Sequence, residues 1–281
     1  MKKLMSLILE PPLKLAVSLI PLRILNQLIQ FFPQQFTTQF VSLFQFTRVY
    51  KVLLFDKEFL LESGPSDDHY LDLEKSNLHD WETDALSVWA REVANAEMVI
   101  DIGAYLGVFS ILAAKLGCRK VLAIEPNSKN FSSLQKNLTL NDLDGLVISH
   151  KLAVGATSRL VSVMTPNGRP NSSGSQIADS PTGRNLNFWE MESEVQMVTL
   201  DSILVDETAH ISVIKIDAEG YELLILQGGI QTLITHSPCM LIELLDDKKK
   251  SEADYFLSDF GYSKGIPIET SGLCTNFLYK K

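Results

Sequence analysis

The sequence predicts an α/β protein whose central sheet is doubly wound and mostly parallel, with an N-terminal helical appendage. Short apolar segments alternate along the chain with segments of helical periodicity, and most of the apolar ones are too uniform for a sheet with one face in water. With 281 residues, 46% of them hydrophobic, the chain can also bury one large core. The candidate strands span residues 98–101, 121–125, 146–154, 213–217 and 240–244.

Residues 1–47 form an apolar, basic leader on a chain whose remainder is acidic. Apolar side chains recur at helical spacing between Pro21 and Pro33, which predicts an amphipathic helix bounded by the two prolines. The uncharged stretch 24–47 is long enough to span a bilayer, but its many polar residues and Pro33 argue against a transmembrane helix. We expect the apolar face within residues 15–46 to contact the core, a second copy of the chain in a homodimer, or the surface of a membrane.

Composition narrows the compartment and the partners. The net charge of −9 argues against nucleic-acid binding, which requires a basic surface. Three widely spaced cysteines, Cys118, Cys239 and Cys274, predict neither a disulfide framework nor a metal site of the C-x-x-C type. We therefore expect a cytoplasmic protein, peripheral to the membrane if the leader contacts lipid.

Residues 48–80 are expected to connect the leader to a main domain over residues 81–281. The connecting region mixes charged and turn residues, which indicates short strands and a loop. A helix predicted over residues 83–95 then begins the main domain. Its apolar side chains, Trp89 and Val93 among them, share one face that is suited to cover the sheet.

Residues 99–127 contain a buried strand, a turn between glycines, a helix and a second strand that ends on an acid. Gly103 allows a tight turn after the first strand, and Gly107 allows the helix to pack close to the sheet. Glu125 follows Gly103 by 22 residues, the spacing at which such folds place a carboxylate that accepts hydrogen bonds from ribose hydroxyls. The pattern predicts a site for a cofactor that contains adenosine.

The turn also indicates which cofactor. A dinucleotide site requires glycines spaced G-x-G-x-x-G, so that the pyrophosphate can lie against bare backbone amides. Here the middle glycine is missing from a turn that contains Ala104 and Tyr105, and Asp101 stands just before the turn. An acid there would repel a pyrophosphate but suits the ammonium group of S-adenosylmethionine, directly or through a water. S-adenosylmethionine is therefore favoured over NAD.

Two further segments are expected to face the ligands. Pro126 and Asn127 follow the ribose-binding acid and are assigned to the same site. Ala153 and Val154 are placed to flank the adenine ring, although a plain core strand explains them equally well. Residues 165–190 lack periodicity and are rich in Gly, Pro, Ser and Asn; we interpret them as a lid that faces the substrate, with a floppy insertion as the alternative.

Acids also follow a later strand of the predicted sheet. Asp217 comes at the end of that strand, and Glu219 and Glu222 come close behind it, while the next strand carries Glu243. The carboxyl ends of strands face the ligand crevice in a doubly wound sheet. Because unpaired buried carboxylates are costly, we expect some of these acids to bind cofactor, substrate or a cation.

The chain resembles the FkbM family of S-adenosylmethionine-dependent methyltransferases from about residue 81 to residue 245. The run Lys-Ile-Asp-x-Glu-Gly-x-Glu, which follows a Thr-Leu-Asp unit, separates this family from most other methyltransferases. One departure is Tyr105, where the family commonly has an asparagine. The matching segments are residues 101–104, 109–110, 125–127, 137, 198–201, 215–222, 228–229 and 243.

The resemblance implies a class I, Rossmann-like methyltransferase fold and methyl transfer to a hydroxyl of a sugar, glycan, lipid or secondary metabolite. The sulfonium of the cofactor is already a reactive donor, so the protein must align the hydroxyl and remove its proton. We expect Asp217 to be the base or to orient the hydroxyl, with Glu219 or Glu243 as its support. The alternative is that these acids only stabilise the loop and the helix N-terminus.

Two other functions stay open on this evidence. In a metal-assisted O-methyltransferase, Asp217, Glu219 and Glu243 would hold a divalent cation that acidifies the hydroxyl, although no dense oxygen-ligand motif supports a metal. A non-catalytic domain would bind the cofactor and recruit partners through the N-terminal helix. Fold and motif give the reaction class and leave the acceptor open.

Overall fold

The described residues of the computed structural model are 47–64, 67, 73, 78, 80–169, 171–182, 184–272 and 274–281. The predicted N-terminal helix lies outside these residues, and so does the predicted contact of residues 15–46 with a membrane or a second subunit. Of the helices that the structure describes, none is both long and apolar enough to cross a membrane.

Strands and helices alternate through most of the described chain. The strands are β1 (Arg48–Leu54), β2 (Lys57–Ser63), β3 (Met98–Ile102), β4 (Val121–Ile124), β5 (Val147–His150), β6 (Ala153–Val154), β7 (Arg159–Pro166), β8 (Gln176–Ile177), β9 (Trp189–Val198), β10 (Ile211–Ile216), β11 (Cys239–Leu244), β12 (Ile266–Ser271) and β13 (Cys274–Tyr279). The helices are α1 (Thr83–Val93), α2 (Val108–Lys115), α3 (Ser128–Leu140), α4 (Leu200–Ile203), α5 (Glu222–Gln227), α6 (Ile230–His236) and α7 (Asp247–Ser258), with a 3₁₀ turn at Leu186–Phe188.

The central sheet confirms the predicted doubly wound, mostly parallel architecture. Its strand order is β12-β13-β11-β10-β3-β4-β5. The strands from β11 to β5 run parallel, and the antiparallel β12–β13 hairpin completes one edge. The chain builds outward from β3 to β5 and later returns to place β10 on the other side of β3. The strand order reverses between β3 and β10, and the crevice at their carboxyl ends is where such sheets bind ligands.

Both faces of the central sheet are covered, which explains why its strands are uniformly apolar. Every residue of β3 is buried. Val99 belongs to one core, with α1, α2, α3 and the β1–β2 hairpin, while Ile100 and Ile102 belong to a second core with α5, α7 and a smaller sheet. Each fully buried aliphatic side chain of this kind contributes roughly 1.5–3 kcal/mol to folding.

The β1–β2 hairpin packs on α2 and α3, and two buried asparagines tie it there. The Asn141 side chain accepts a hydrogen bond from the N–H of Leu60 at 2.8 Å and donates one to the carbonyl of the same residue at 2.7 Å. Asn137 accepts from the N–H of Glu62 at 2.6 Å and donates to the carbonyl of Leu106 at 2.9 Å. The short strands expected in the connecting region are thus present, and Asn137 bonds one of them to the turn after β3.

A four-stranded sheet includes part of the segment 165–190, which the sequence predicted to be irregular. Its strand order is β6-β9-β7-β8. Val161 and Val163 of β7 and Val195 and Met197 of β9 are buried, so both strands follow the two-residue period of a half-buried sheet. The predicted lid at residues 165–190 therefore contains the end of β7, β8, the 3₁₀ turn and the start of β9. Its role as a lid stays a prediction.

The predicted third strand, residues 146–154, is wrong as a single element. β5 pairs with β4 in the central sheet, whereas β6 pairs with β9 in the smaller sheet. The chain crosses from one sheet to the other between His150 and Ala153, where the polar residues Ser149, His150 and Lys151 interrupt the apolar residues on either side.

The approach of β3 to β10 can be tested at Gly103. This residue has a φ of +85°, and a Cβ there would lie 1.8 Å from the backbone oxygen of Asp217. Because one of the two backbone segments must move, Gly103→Ala should lower the free energy of unfolding by at least about 3 kcal/mol in urea titrations.

Gly168 provides the matched control. Its φ is +76°, and no described atom lies within 4 Å of a Cβ at this position. Gly168→Ala should therefore cost only about 1 kcal/mol, the penalty of the left-handed conformation. Equal losses in the two variants would contradict a steric role for Gly103.

Candidate active site

A cavity of about 260 Å³ opens at the carboxyl ends of β3 and β10. The three predicted catalytic residues all line it: Asp217, Glu219 and Glu243. The predicted cofactor residues in the lining are Gly103, Ala104, Tyr105, Glu125, Pro126, Ala153 and Val154. The other predicted cofactor residues, Asp101, Gly107 and Asn127, lie behind the lining.

Glu125 is held at the end of β4 by the backbone around it. Its Oε2 accepts a hydrogen bond from the N–H of Tyr105, and its Oε1 accepts one from the N–H of Asn127, both at 2.9 Å. Burial raises the pKa of Glu125 to about 7, although these two N–H donors act to lower it. The carboxyl group is therefore fixed in the cavity wall, next to the turn that begins at Gly103.

Asp101 lies beneath the turn and is 1% exposed. Its Oδ2 accepts a hydrogen bond from Ser110 Oγ at 2.6 Å, while no described group donates to its Oδ1. Burial raises the pKa of Asp101, and Lys215, its register partner on β10, acts to lower it. A buried acceptor atom without a donor is uncommon, and it suits a ligand ammonium group or a water that bridges to one.

Gly107 and Asn127 support the cavity from behind. A Cβ on Gly107 would lie 2.5 Å from Leu134 Cδ1, so this glycine allows α2 to approach α3. Asn127 caps α3, because its Oδ1 accepts hydrogen bonds from the first N–H groups of that helix. Its Nδ2 donates to Ser175 Oγ at 3.0 Å, and Ser175 lines the cavity. Direct contact of Gly107 or Asn127 with the cofactor stays a prediction.

One described part of the predicted lid is bonded to the turn after β3. Tyr105 Oη donates to the carbonyl of Asn171 at 3.0 Å, and Asn130 Nδ2 donates to the carbonyl of Ser172 at 3.1 Å. The side chain of Asn171 donates in turn to Asp67 Oδ1 at 2.8 Å. Tyr105, at which the sequence departs from the FkbM pattern, thus joins the turn to this segment.

Lys215 organises the acidic part of the cavity, and the sequence reasoning did not assign it to the site. It is 3% exposed, and its Nζ lies 2.8 Å from Asp217 Oδ2 and 4.5 Å from the centroid of the Phe109 ring. Burial acts to lower the pKa of Lys215, but the carboxylates of Asp217, Glu82 and Asp101 raise it above its ordinary value. The spacing along the sequence indicates that Lys215 belongs to the site, because residues two apart on a strand share a face and Lys215 precedes Asp217 by two.

Glu243 lies beside Asp217 at the end of the neighbouring strand, because the parallel register pairs Ile216 with Ile242. The charge of Asp217, together with burial, raises the pKa of Glu243 to about 10, while Lys215 acts to lower it. The charge of Asp217 and burial thus both favour the protonated form of Glu243, next to an aspartate that is paired with a lysine.

Glu219 is held by a later stretch of the predicted lid, which contains Ser180 and Arg184. Arg184 Nη1 lies 2.7 Å from Glu219 Oε2, and Ser180 Oγ donates to the carbonyl of Glu219 at 2.7 Å. Burial and the charge of Asp217 raise the pKa of Glu219 to about 7, although Arg184 acts to lower it. Glu219 is thus poised to change charge near neutral pH.

Each of the three predicted catalytic acids has another side chain of the protein as its partner or neighbour. Asp217 pairs with Lys215, Glu219 pairs with Arg184, and the charge of Asp217 and burial raise the pKa of Glu243. Within the described ranges, no three His, Cys, Asp or Glu side chains are placed to hold a metal ion.

Comparison with known proteins gives one family match. The family described as Methyltransferase FkbM domain matches residues 101–264. This stretch contains all of the predicted cofactor and catalytic residues, whereas Trp81, Glu82 and Cys274 of the cavity lining lie outside it. A search of the curated proteins found no match.

Solved structures of methyltransferases are similar to parts of the chain. A methyltransferase FkbM from Methylobacillus flagellatus KT is 19% identical, with a TM-score of 0.48; the match covers 66% of this chain and 44% of that one. A ribosomal protein L11 methylase from Lactobacillus delbrueckii subsp. bulgaricus is 15% identical, with coverages of 72% and 79% and a TM-score of 0.44. TYW2 from M. jannaschii, in complex with AdoMet, is 14% identical, with coverages of 84% and 86% and a TM-score of 0.43. The chain thus spans less than half the length of the Methylobacillus protein.

The buried acids predict how stability depends on pH, and Glu222 gives the clearest case. Its Oε1 accepts hydrogen bonds from the N–H groups of Gly220 and Ala218, and burial raises its pKa from 4.5 to about 7. The folded state therefore binds this proton more tightly than the unfolded state. The stability that results is present below about pH 4.5 and is lost as the pH rises through about 7.

Glu222→Gln should remove this dependence, because an amide does not titrate in this range. We expect the fall in the free energy of unfolding between about pH 5 and about pH 7 to become shallower by up to about 1.4 kcal/mol per pH unit. Glu194→Gln, at an exposed position on β9, is the control and should leave the slope unchanged. A slope that Glu222→Gln does not alter would show that Glu222 is ionised in the folded protein.

Proposed function

The chain belongs to the FkbM methyltransferase family, and on that premise we propose that it transfers a methyl group from S-adenosylmethionine to a hydroxyl oxygen of its acceptor. One observation carries the proposal. Glu125, Asp217 and Glu243, which stand at three strand ends, line a single cavity beside the Gly103 turn. By the family resemblance, the acceptor class is a sugar, glycan, lipid or secondary metabolite.

The residues present fit this cofactor. Glu125 offers a fixed carboxyl group to the ribose hydroxyls, and Pro126, Ala153 and Val154 offer apolar surface to the adenine ring. The unpartnered Oδ1 of Asp101 offers an acceptor to the ammonium group, through a water if the turn intervenes. These assignments support the methyl donor over a dinucleotide, for which the turn lacks the middle glycine.

The bound cofactor supplies a methyl group activated by a positively charged sulfur. The chain must then place the acceptor oxygen in line with that group and receive the proton that the oxygen loses. We assign the proton acceptor, or the group that orients the hydroxyl, to Asp217. Lys215 holds Asp217 in place through the 2.8 Å ion pair, and Glu219 and Glu243 are its carboxyl neighbours in the same lining.

Aromatic side chains form the wall beside Lys215. The ring of Phe109 contacts both the ammonium of Lys215 and the ring of Trp81, and the two ring centroids are 5.9 Å apart in an edge-to-face arrangement. Trp89 Nε1 donates to the carbonyl of Phe109 at 3.0 Å and fixes that wall to α1. Apolar walls of this kind exclude water from the transfer and strengthen the interactions of the charged groups inside.

Calorimetric titration with S-adenosylmethionine tests the first part of the proposal. The wild type should bind the cofactor, and Glu125→Gln should weaken binding by roughly tenfold to a hundredfold, because charge-assisted hydrogen bonds to the ribose are lost. Glu97→Gln, at an exposed position before β3, is the control and should bind as the wild type does. Failure of the wild type to bind both the methyl donor and its demethylated product would refute the function and favour a domain without catalysis.

The acceptor must be identified before the base can be tested. Extracts incubated with the protein and with cofactor labelled in its methyl group should yield a product that is heavier by one labelled methyl group, detected by mass spectrometry. With that acceptor, Asp217→Asn should lower kcat by about 10²–10⁴-fold.

Asp206→Asn is the control for this substitution, because Asp206 is exposed in the turn after α4 and should not affect kcat. Circular dichroism checks that Asp217→Asn folds, since the change removes the partner of a buried lysine. A folded Asp217→Asn variant with the kcat of the wild type would show that Asp217 is neither the base nor the orienting group.

A further inference from the structure

Asp217 and Glu243 are neighbouring carboxyl groups at the ends of adjacent parallel strands, and both line the cavity. We propose that this pair holds one proton when no cation is bound and releases it when a cation enters, so that the site favours the positively charged methyl donor over its uncharged demethylated product. The inference rests on the proposed function, because it takes S-adenosylmethionine as the cation.

The two cations that pair with the acids around Glu243 each have another acid as their partner. Lys215 is paired with Asp217 at 2.8 Å, and Arg184 is paired with Glu219 at 2.7 Å. Five titratable or charged groups act on Glu243 or are acted on by it, and they come from four surrounding segments: Asp217 and Lys215 at β10, Glu82 before α1, Glu219 in the loop before α5, and Cys274 on β13. The acids outnumber the cations in this part of the cavity.

This imbalance decides the charge of the pair. Two carboxylates side by side in a partly buried site cannot both ionise at neutral pH, unless a second cation compensates them. Asp217 holds the lysine, so the proton stays on Glu243, whose pKa the charge of Asp217 raises to about 10. The carboxyl group of Glu243 is thus neutral without ligand and can become an anion.

The methyl donor supplies the missing cation. Its sulfur is positively charged, whereas the sulfur of the demethylated product is neutral, and the two ligands are otherwise alike. In this partly buried cavity, a sulfonium favours the ionised form of Glu243, and the proton passes to solvent. The doubly ionised pair then has room for the proton that the acceptor hydroxyl loses during transfer. After transfer, the protonated pair and the neutral sulfur no longer attract one another, which favours release of the product.

Calorimetry can count these protons without an acceptor. We would titrate the full chain with the methyl donor and with its demethylated product at about pH 8, in two buffers that differ in ionisation enthalpy. Carboxyl groups whose pKa is about 7, such as Glu125 and Glu219, are already ionised at that pH. The wild type should release about one more proton with the donor than with the product. The preference for the donor should also rise by up to about tenfold per pH unit.

Glu243→Gln is the decisive variant. It should lose the extra proton and the pH dependence of the preference, and Glu194→Gln is the control that should keep both. The amino group that both ligands carry also titrates near this pH, but it does so in the variant as well and therefore cancels in the comparison. If Glu243→Gln does not fold, Asp217→Asn replaces it, because without its charged neighbour Glu243 should already be ionised and the extra proton should again be lost.

The possible results separate this inference from the proposed function. Donor binding with the same extra proton release in the wild type and in a folded Glu243→Gln variant would overturn the inference and leave the methyltransferase function standing. The inference would also be overturned, and the function left standing, if the difference in proton release between donor and product were no larger in the wild type than in the folded variant. Absence of donor binding to the wild type would overturn both.

Discussion

The acidic crevice of this protein depends on one buried cation, Lys215. Each carboxylate taken out of water costs several kcal/mol unless an opposite charge or hydrogen bonds compensate it. Lys215 pairs with Asp217, lies opposite Asp101 in the register of β10 and β3, and packs against the ring of Phe109. It allows acids from neighbouring strands to stand together without unfolding the site, and it determines which of them is ionised.

Both sheets contribute residues to the cavity and its surroundings. The central sheet brings the strand ends that carry Asp217 and Glu243 together at the point where its strand order reverses. The segment that links β7 to β9 supplies a second set of contacts, because Arg184 pairs with Glu219 and Asn171 accepts from Tyr105. Residues that line the cavity are therefore held by the central sheet on one side and by a long connection on the other.

The sequence was sufficient for the parallel sheet and for the strand-end acids that line the cavity, because uniform apolar strands and acids at their ends are local patterns. It was insufficient where a feature depends on pairing between distant segments. Residues 146–154 resemble a single strand, but β5 pairs with β4 whereas β6 pairs with β9. Lys215 was missed because a lysine within an apolar strand becomes a site residue only when the neighbouring strands are in place.

The hydrogen bonds of Asn137 have a consequence for local motion. This buried side chain accepts from β2 and donates to the carbonyl of Leu106, so the hairpin and the turn after β3 share a support. Elements that share buried contacts open together as one cooperative unit. A fluctuation that frays β2 should therefore loosen the turn as well, although β2 lies ahead of the 101–264 stretch that matches the family. The lifetime of the ligand in its cavity is in this way tied to a hairpin that does not touch it.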